Sequence, residues 1–194
     1  MLKALELDSG VASTMLAPLE QLGDEAKRRI DPLVSVRAYL DSLRQDGLVN
    51  DAVDVVSYVL PKQYAIAWGC DCWRAAQENA EADPVEKSAA AAAQRWLQDP
   101  SEENRRAALM LADRLGYKTA GAWLAAAAGW TAGTMMPGGE YEVPPPPGLS
   151  GNAVSAALKL LAAAEPDAFN ERLAQFVDRA IAAFAPASPS ERRP

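Results

Sequence analysis

The stretch NDAVDVVSYVLPKQYAIAWGCDCWRAAQEN, residues 50–79, decides the fold class. Its first half repeats Ala52, Val53, Val56, Val59 and Leu60 at three- and four-residue spacing, the apolar stripe of a helix. Asn50 stands at the start as an N-cap, because its short side chain can accept from a free amide of the first turn. Pro61 ends this helix or opens the next. Beyond it Ala65, Trp68, Cys72, Ala75 and Ala76 fall along one broad stripe, so residues 61–79 read as the central core helix.

Working upstream, Val36, Leu40 and Leu43 keep the same period until Gly47 supplies a stop, and 24–30 reads as a short helix. Residues 11–23 leave room for a short helix broken near Pro18, and the first ten residues have no clear period. Downstream, Asp83-Pro84-Val85-Glu86 and Asp99-Pro100-Ser101-Glu102 repeat one start signal: an acidic cap, a proline in the first helical position and a glutamate. They open helices over 84–97 and 100–115, which Gly116 ends and which pair as a hairpin. An apolar helix follows over 117–128, and two more are expected over 152–164 and 166–185.

Between them residues 129–150, GWTAGTMMPGGEYEVPPPPGLS, break the pattern with glycines and prolines, and Pro144–Pro147 should be extended polyproline. The chain therefore reads as an all-α, single-domain bundle of roughly seven to eight helices with one long Gly/Pro-rich loop. The domain covers 1–186, with a disordered tail over 187–194.

Composition removes several functions. There is no histidine anywhere, so Ser-His-Asp and Cys-His nucleophiles and His-ligated zinc are absent. The two cysteines, Cys70 and Cys72, point to different sides of a helix and read as buried free thiols; no cofactor and no metal is expected. A net charge of -7 argues against a nucleic-acid partner. Acids at Glu6 and Asp8 interrupt any signal peptide, and no window matches a membrane span, so a cytoplasmic protein with no membrane partner is expected.

Trp68, Trp73, Trp96 and Trp123 sit at helical spacing and read as core. Trp130 enters the Gly/Pro-rich segment with Met135, Met136, Tyr141 and the run Pro144, Pro145, Pro146 and Pro147. This set is the candidate partner-binding site, since aromatics and Met are enriched at protein contacts and Met adapts to irregular surfaces. The plainer alternative is that the segment covers a groove of its own domain. Acids at 78–83 and at Glu140 and Glu142 read as capping or solvated surface.

Residues 51–75, together with the later Gly-Met-Pro segment and PPPPGLS, resemble an uncharacterised family of small all-helical bacterial proteins in which a helix ends at Leu-Pro and a Trp- and Cys-bearing helix follows. Gln63 and Tyr64 here replace a charged pair of that signature. The resemblance covers about 24–164, and the family is associated with gene clusters of the bacterial type VI secretion apparatus. It implies an adaptor or co-chaperone for a secretion effector, with no catalytic residues to carry over. Two other readings are an immunity protein neutralising a toxin and a small His-free enzyme using carboxylates or Lys87 and Lys118.

Overall fold

The computed structural model describes Leu16 and residues 19–77, 83–136 and 141–184. Readings that concern 1–15, the break near Pro18, the acids at 78–82, Glu140 and the tail lie outside the described residues. Among those described there are nine helices and no strand. They are α1 (Asp24–Arg28), α2 (Val36–Gln45), α3 (Val49–Val59), α4 (Lys62–Ala76), α5 (Pro84–Gln98), α6 (Glu102–Arg114), α7 (Ala120–Gly129), α8 (Leu149–Ala163) and α9 (Phe169–Phe184). The all-α expectation is therefore met.

Short polar side chains set several of the helix starts. Ser35 Oγ accepts from the Ala38 amide at 3.1 Å, Asp83 Oδ1 from Val85 at 2.7 Å and Thr119 Oγ1 from Ala122 at 3.2 Å. Other starts differ from expectation. Asn50 does not cap α3: the Leu48 amide donates to Leu43 O at 2.8 Å, which closes a tight turn and starts the helix at Val49. Asp99 does not cap α6 either. It closes α5 as its C-cap and accepts from the Asn104 side chain at 2.9 Å, so Ser101 takes the capping role and Pro100 precedes the helix.

The expected helix over 117–128 begins instead at Ala120, because Tyr117 adopts a left-handed φ of 55°. The long loop is shorter than 129–150, since Gly129 closes α7 and Leu149 opens α8. Beyond α8, a 3-10 turn over Pro166–Ala168 precedes α9, so the helix expected from 166 begins as an α-helix at Phe169.

The centre of the bundle is α7 and not α4. It packs against α5, α6 and α8 and also touches α4, and nine of its ten residues are buried. Its composition, AGAWLAAAAG, explains this, because small side chains let neighbouring backbones approach on every side. A Cβ at Gly121 would lie 2.5 Å from Glu86 O, and one at Gly129 would lie 2.5 Å from Leu109 Cβ. A helix without a polar face has no amphipathic period, so the sequence could not rank it above α4.

Around this centre α4 packs on α5, α8 and α9, while α3 is held between α8 and α9. One part-buried ion pair joins α3 to α8. Lys159 Nζ donates to both carboxylate oxygens of Asp54 at 2.8 Å, and Ser155 Oγ donates to Asp54 Oδ1 at 2.5 Å. Both carboxylate oxygens of Asp54 thus meet a donor, as burial of a carboxylate requires.

Cys70 and Cys72 are free and buried, at 2% and 0% exposure. Burial pushes the Cys70 thiol up to about 12, and it also raises Cys72. The reactive thiolate is therefore scarce near neutral pH, and reagent cannot reach it. A thiol-specific reagent should label both residues slowly in the native protein and rapidly in denaturant. Fast native labelling followed by absorbance would contradict the burial of the two thiols on α4.

Candidate functional site

The last carbonyls of an α-helix have no donors within the helix and must find partners elsewhere. At the end of α7 three such oxygens are taken by side chains, and a fourth carbonyl just beyond the helix, that of Thr131, is taken by a lysine. Ser150 Oγ donates to Ala127 O at 2.8 Å, Thr131 Oγ1 to Ala128 O at 2.7 Å and Lys62 Nζ to Thr131 O at 2.6 Å. Arg105 Nη1 donates to Gly129 O. The two cations also face the negative end of the helix dipole.

Arg105 is only 3% exposed, which would be costly for an unpaired guanidinium. Glu102 balances it with two hydrogen bonds, at 2.6 Å from Nε and 2.7 Å from Nη2. The bond from Arg105 is the main reason the Glu102 carboxyl is held down at about 2. The exit of the chain from α7 is thus fixed by a buried arginine on α6, paired with the exposed Glu102, and by Lys62 at the start of α4.

Trp130 follows directly. It is 8% exposed and stacks on Tyr117 at 5.6 Å between ring centroids, while Trp123 meets it edge-on at 6.2 Å. Tyr117 reaches that position through its left-handed backbone, which non-glycine residues rarely adopt without support from their surroundings. Burial raises the Tyr117 phenol above its ordinary value, with Asp113 adding to the shift. The three rings pack against one another, with Tyr117 and Trp123 tilted at 5.6 Å.

The segment beyond is tied back onto this cluster. Trp130 Nε1 donates to Met135 O at 3.2 Å, and the Met135 amide donates to Val143 O at 2.7 Å. Thr134 Oγ1 accepts from the Met136 and Val143 amides at 3.3 and 3.1 Å. Each tie satisfies a backbone group that an irregular segment would otherwise leave to water.

These contacts divide the candidate residues. Trp130 lies beneath the segment, and Met135 is half-buried against the core. Met136 and Tyr141 stand out at 56% and 76% exposure, with Val143 beside them at 39%. Pro144, Pro146 and Pro147 are exposed and Pro145 is half-buried. Trp68, Trp73 and Trp96 are core as expected, whereas Trp123 is only half-buried.

Sequence reasoning did not single out Arg105, Thr134 or Tyr117. A buried arginine inside a polar-looking EENRRA run carries no local signal, and neither does a left-handed tyrosine. Two stretches of the sequence that were read separately also meet in space. The Leu60-Pro61 junction and the start of α8 border one open cleft of about 340 Å³, lined in part by Tyr58, Lys62, Gly148 and Ser150.

For acid–base chemistry the described residues offer little convergence. Lys87 and Lys118 are both exposed, and among the described residues no three of Cys, Asp and Glu come close enough to share a metal ion. No described helix is long and apolar enough to cross a membrane.

A family model described as "Family of unknown function (DUF6931)" matches residues 39–184. That span runs from within α2 to the end of α9 and includes the aromatic cluster and the proline run. No curated protein and no solved structure matches the chain.

Proposed function

The chain belongs to this family of unknown function, and from that starting point we propose that it is a non-enzymatic protein-interaction module of the bacterial cytoplasm. In this reading it is an adaptor or co-chaperone for an effector of a secretion system, the type VI apparatus. The docking element is the segment over 130–147. The observation that carries the proposal is the exposure of Met136, Tyr141 and Val143 on a segment braced to the buried Trp130.

Large apolar side chains held out in water gain most when a partner covers them, and a braced segment loses little entropy on docking. Aromatic and Met side chains are also the types enriched at such contacts. The absence of histidine from the chain supports the non-enzymatic side of the proposal.

The test separates docking from self-cover. Met136→Ser with Tyr141→Ser removes exposed contacts only, so stability should change by no more than about 0.5 kcal/mol. Retention of the effector that copurifies with the tagged chain from its native host should fall by about thirtyfold, as expected when an interface hot spot is lost. Trp130→Ala serves as the contrasting variant and should lower the melting temperature. A double variant that keeps its partner, or melts as early as Trp130→Ala, would sink the docking proposal.

A further inference from the structure

The proline run has features that the docking segment as a whole does not. Val143, Pro144, Pro145 and Pro146 each precede a proline, which drives them to extended backbone, and the proline rings fix φ at about -65°. Such a run is a polyproline helix with no internal hydrogen bonds. Helix connections in bundles usually take about 2–8 residues. The connection from Trp130 to Gly148 is far longer, although α7 and α8 pack directly against each other. Closing the bundle does not require the run.

Both of its ends are nevertheless fixed. At the first, Val143 is held by Thr134 Oγ1 at 3.1 Å and by the Met135 amide at 2.7 Å. At the second, the Leu149 amide donates to Pro146 O at 3.2 Å, and Gly148 takes a φ of 84°. A Cβ on Gly148 would lie 3.0 Å from the Tyr58 ring, so this end is seated against α3. Between the anchors, the carbonyls of Pro144 and Pro145 receive no hydrogen bond among the described residues. The rings of Pro144, Pro146 and Pro147 face solvent.

We infer that this run is itself a ligand: Val143–Pro147 is presented, already extended, to an aromatic-lined proline-reading groove on the partner. Rings at Pro144 and Pro147 have the Pro-x-x-Pro spacing that such grooves accept, and the free carbonyls offer acceptors to indole and phenol donors on the groove wall. The inference deepens the docking proposal by naming the chemistry of the partner's surface.

Purified SH3, WW and EVH1 domains serve as probes, each titrated by calorimetry into the full chain. At least one should bind, and Pro144→Ala with Pro147→Ala should weaken that binding by about tenfold or more at an unchanged melting temperature. A free peptide of residues 141–148 should compete for the same probe, which keeps the test valid if the variant folds poorly. Copurification of the effector with Met136→Ser, Tyr141→Ser reports on the docking proposal, whereas the probe titrations of the wild-type chain and its proline variant report on the proline run. No binding by any probe, no competition by the peptide, or equal binding by the proline variant overturns the inference.

Discussion

Trp68→Ala is expected to lower the stability of the protein by about 3–5 kcal/mol, the range for removing a large aromatic from a core. Trp68 is 4% exposed, and its Nε1 donates at 2.8 Å to the carbonyl of Phe176, which lies far along the chain on α9. Truncation opens a cavity between α4 and α9 and removes the one hydrogen bond that the indole makes across them. Trp68→Phe keeps most of the volume and loses the donor, so it should cost less, about 1–2 kcal/mol. Urea unfolding followed by circular dichroism measures both. Equal midpoints for the wild type and Trp68→Ala would mean that α4 does not pack on α9 through this residue.

The second large effect is asymmetric. Lys159→Met should cost about 3 kcal/mol, because it leaves the Asp54 carboxylate buried without its counter-ion. Asp54→Asn should cost about 1 kcal/mol, since an amide can still accept from Ser155 and the freed lysine can turn to water. The difference follows from burial: Asp54 is 3% exposed, whereas the Lys159 side chain is 29% exposed. Chemical denaturation of the two single variants and the double variant would read this directly. Equal losses in the two single variants would show that both charges reach water equally well, contrary to the geometry.

The fold class was legible because most helices carry their own period and punctuation. Asp83-Pro84 marks the start of α5 as the residues alone suggest. Asp99-Pro100 has the same form and a different outcome, because the preceding helix runs directly into it and claims Asp99 for its own end. Chemistry at the dipeptide is the same in both places. The distance to the neighbouring helix is what differs, and sequence spacing did not weigh it.

The candidate site was legible only in part. Aromatic, Met and Pro residues in a Gly-rich stretch pointed to a contact segment, but not to which side chains face inward. Trp130 lies under the segment while Trp123, on a helix, is half-exposed; helical or loop placement alone predicts the reverse. Their positions follow the chain's exit from α7, which Arg105 and Ser150 hold at the helix end and Lys62 holds at Thr131. Those partners come from three other helices, so no local window contains the information.

The placement of α7 bears on how the chain folds as it is made. A ten-residue helix of alanine and glycine with two larger residues is marginal alone in water, so it gains its stability from its neighbours. Two of them, α5 and α6, precede it and are ready when it emerges, but α8 is synthesised only after the long proline-bearing connection. Until then the innermost helix has one side open, and its apolar surface is available to a holding chaperone or to another nascent chain. Arrival of α8 covers that side and α9 then packs on α3 and α8, which makes folding of the bundle dependent on its last two helices.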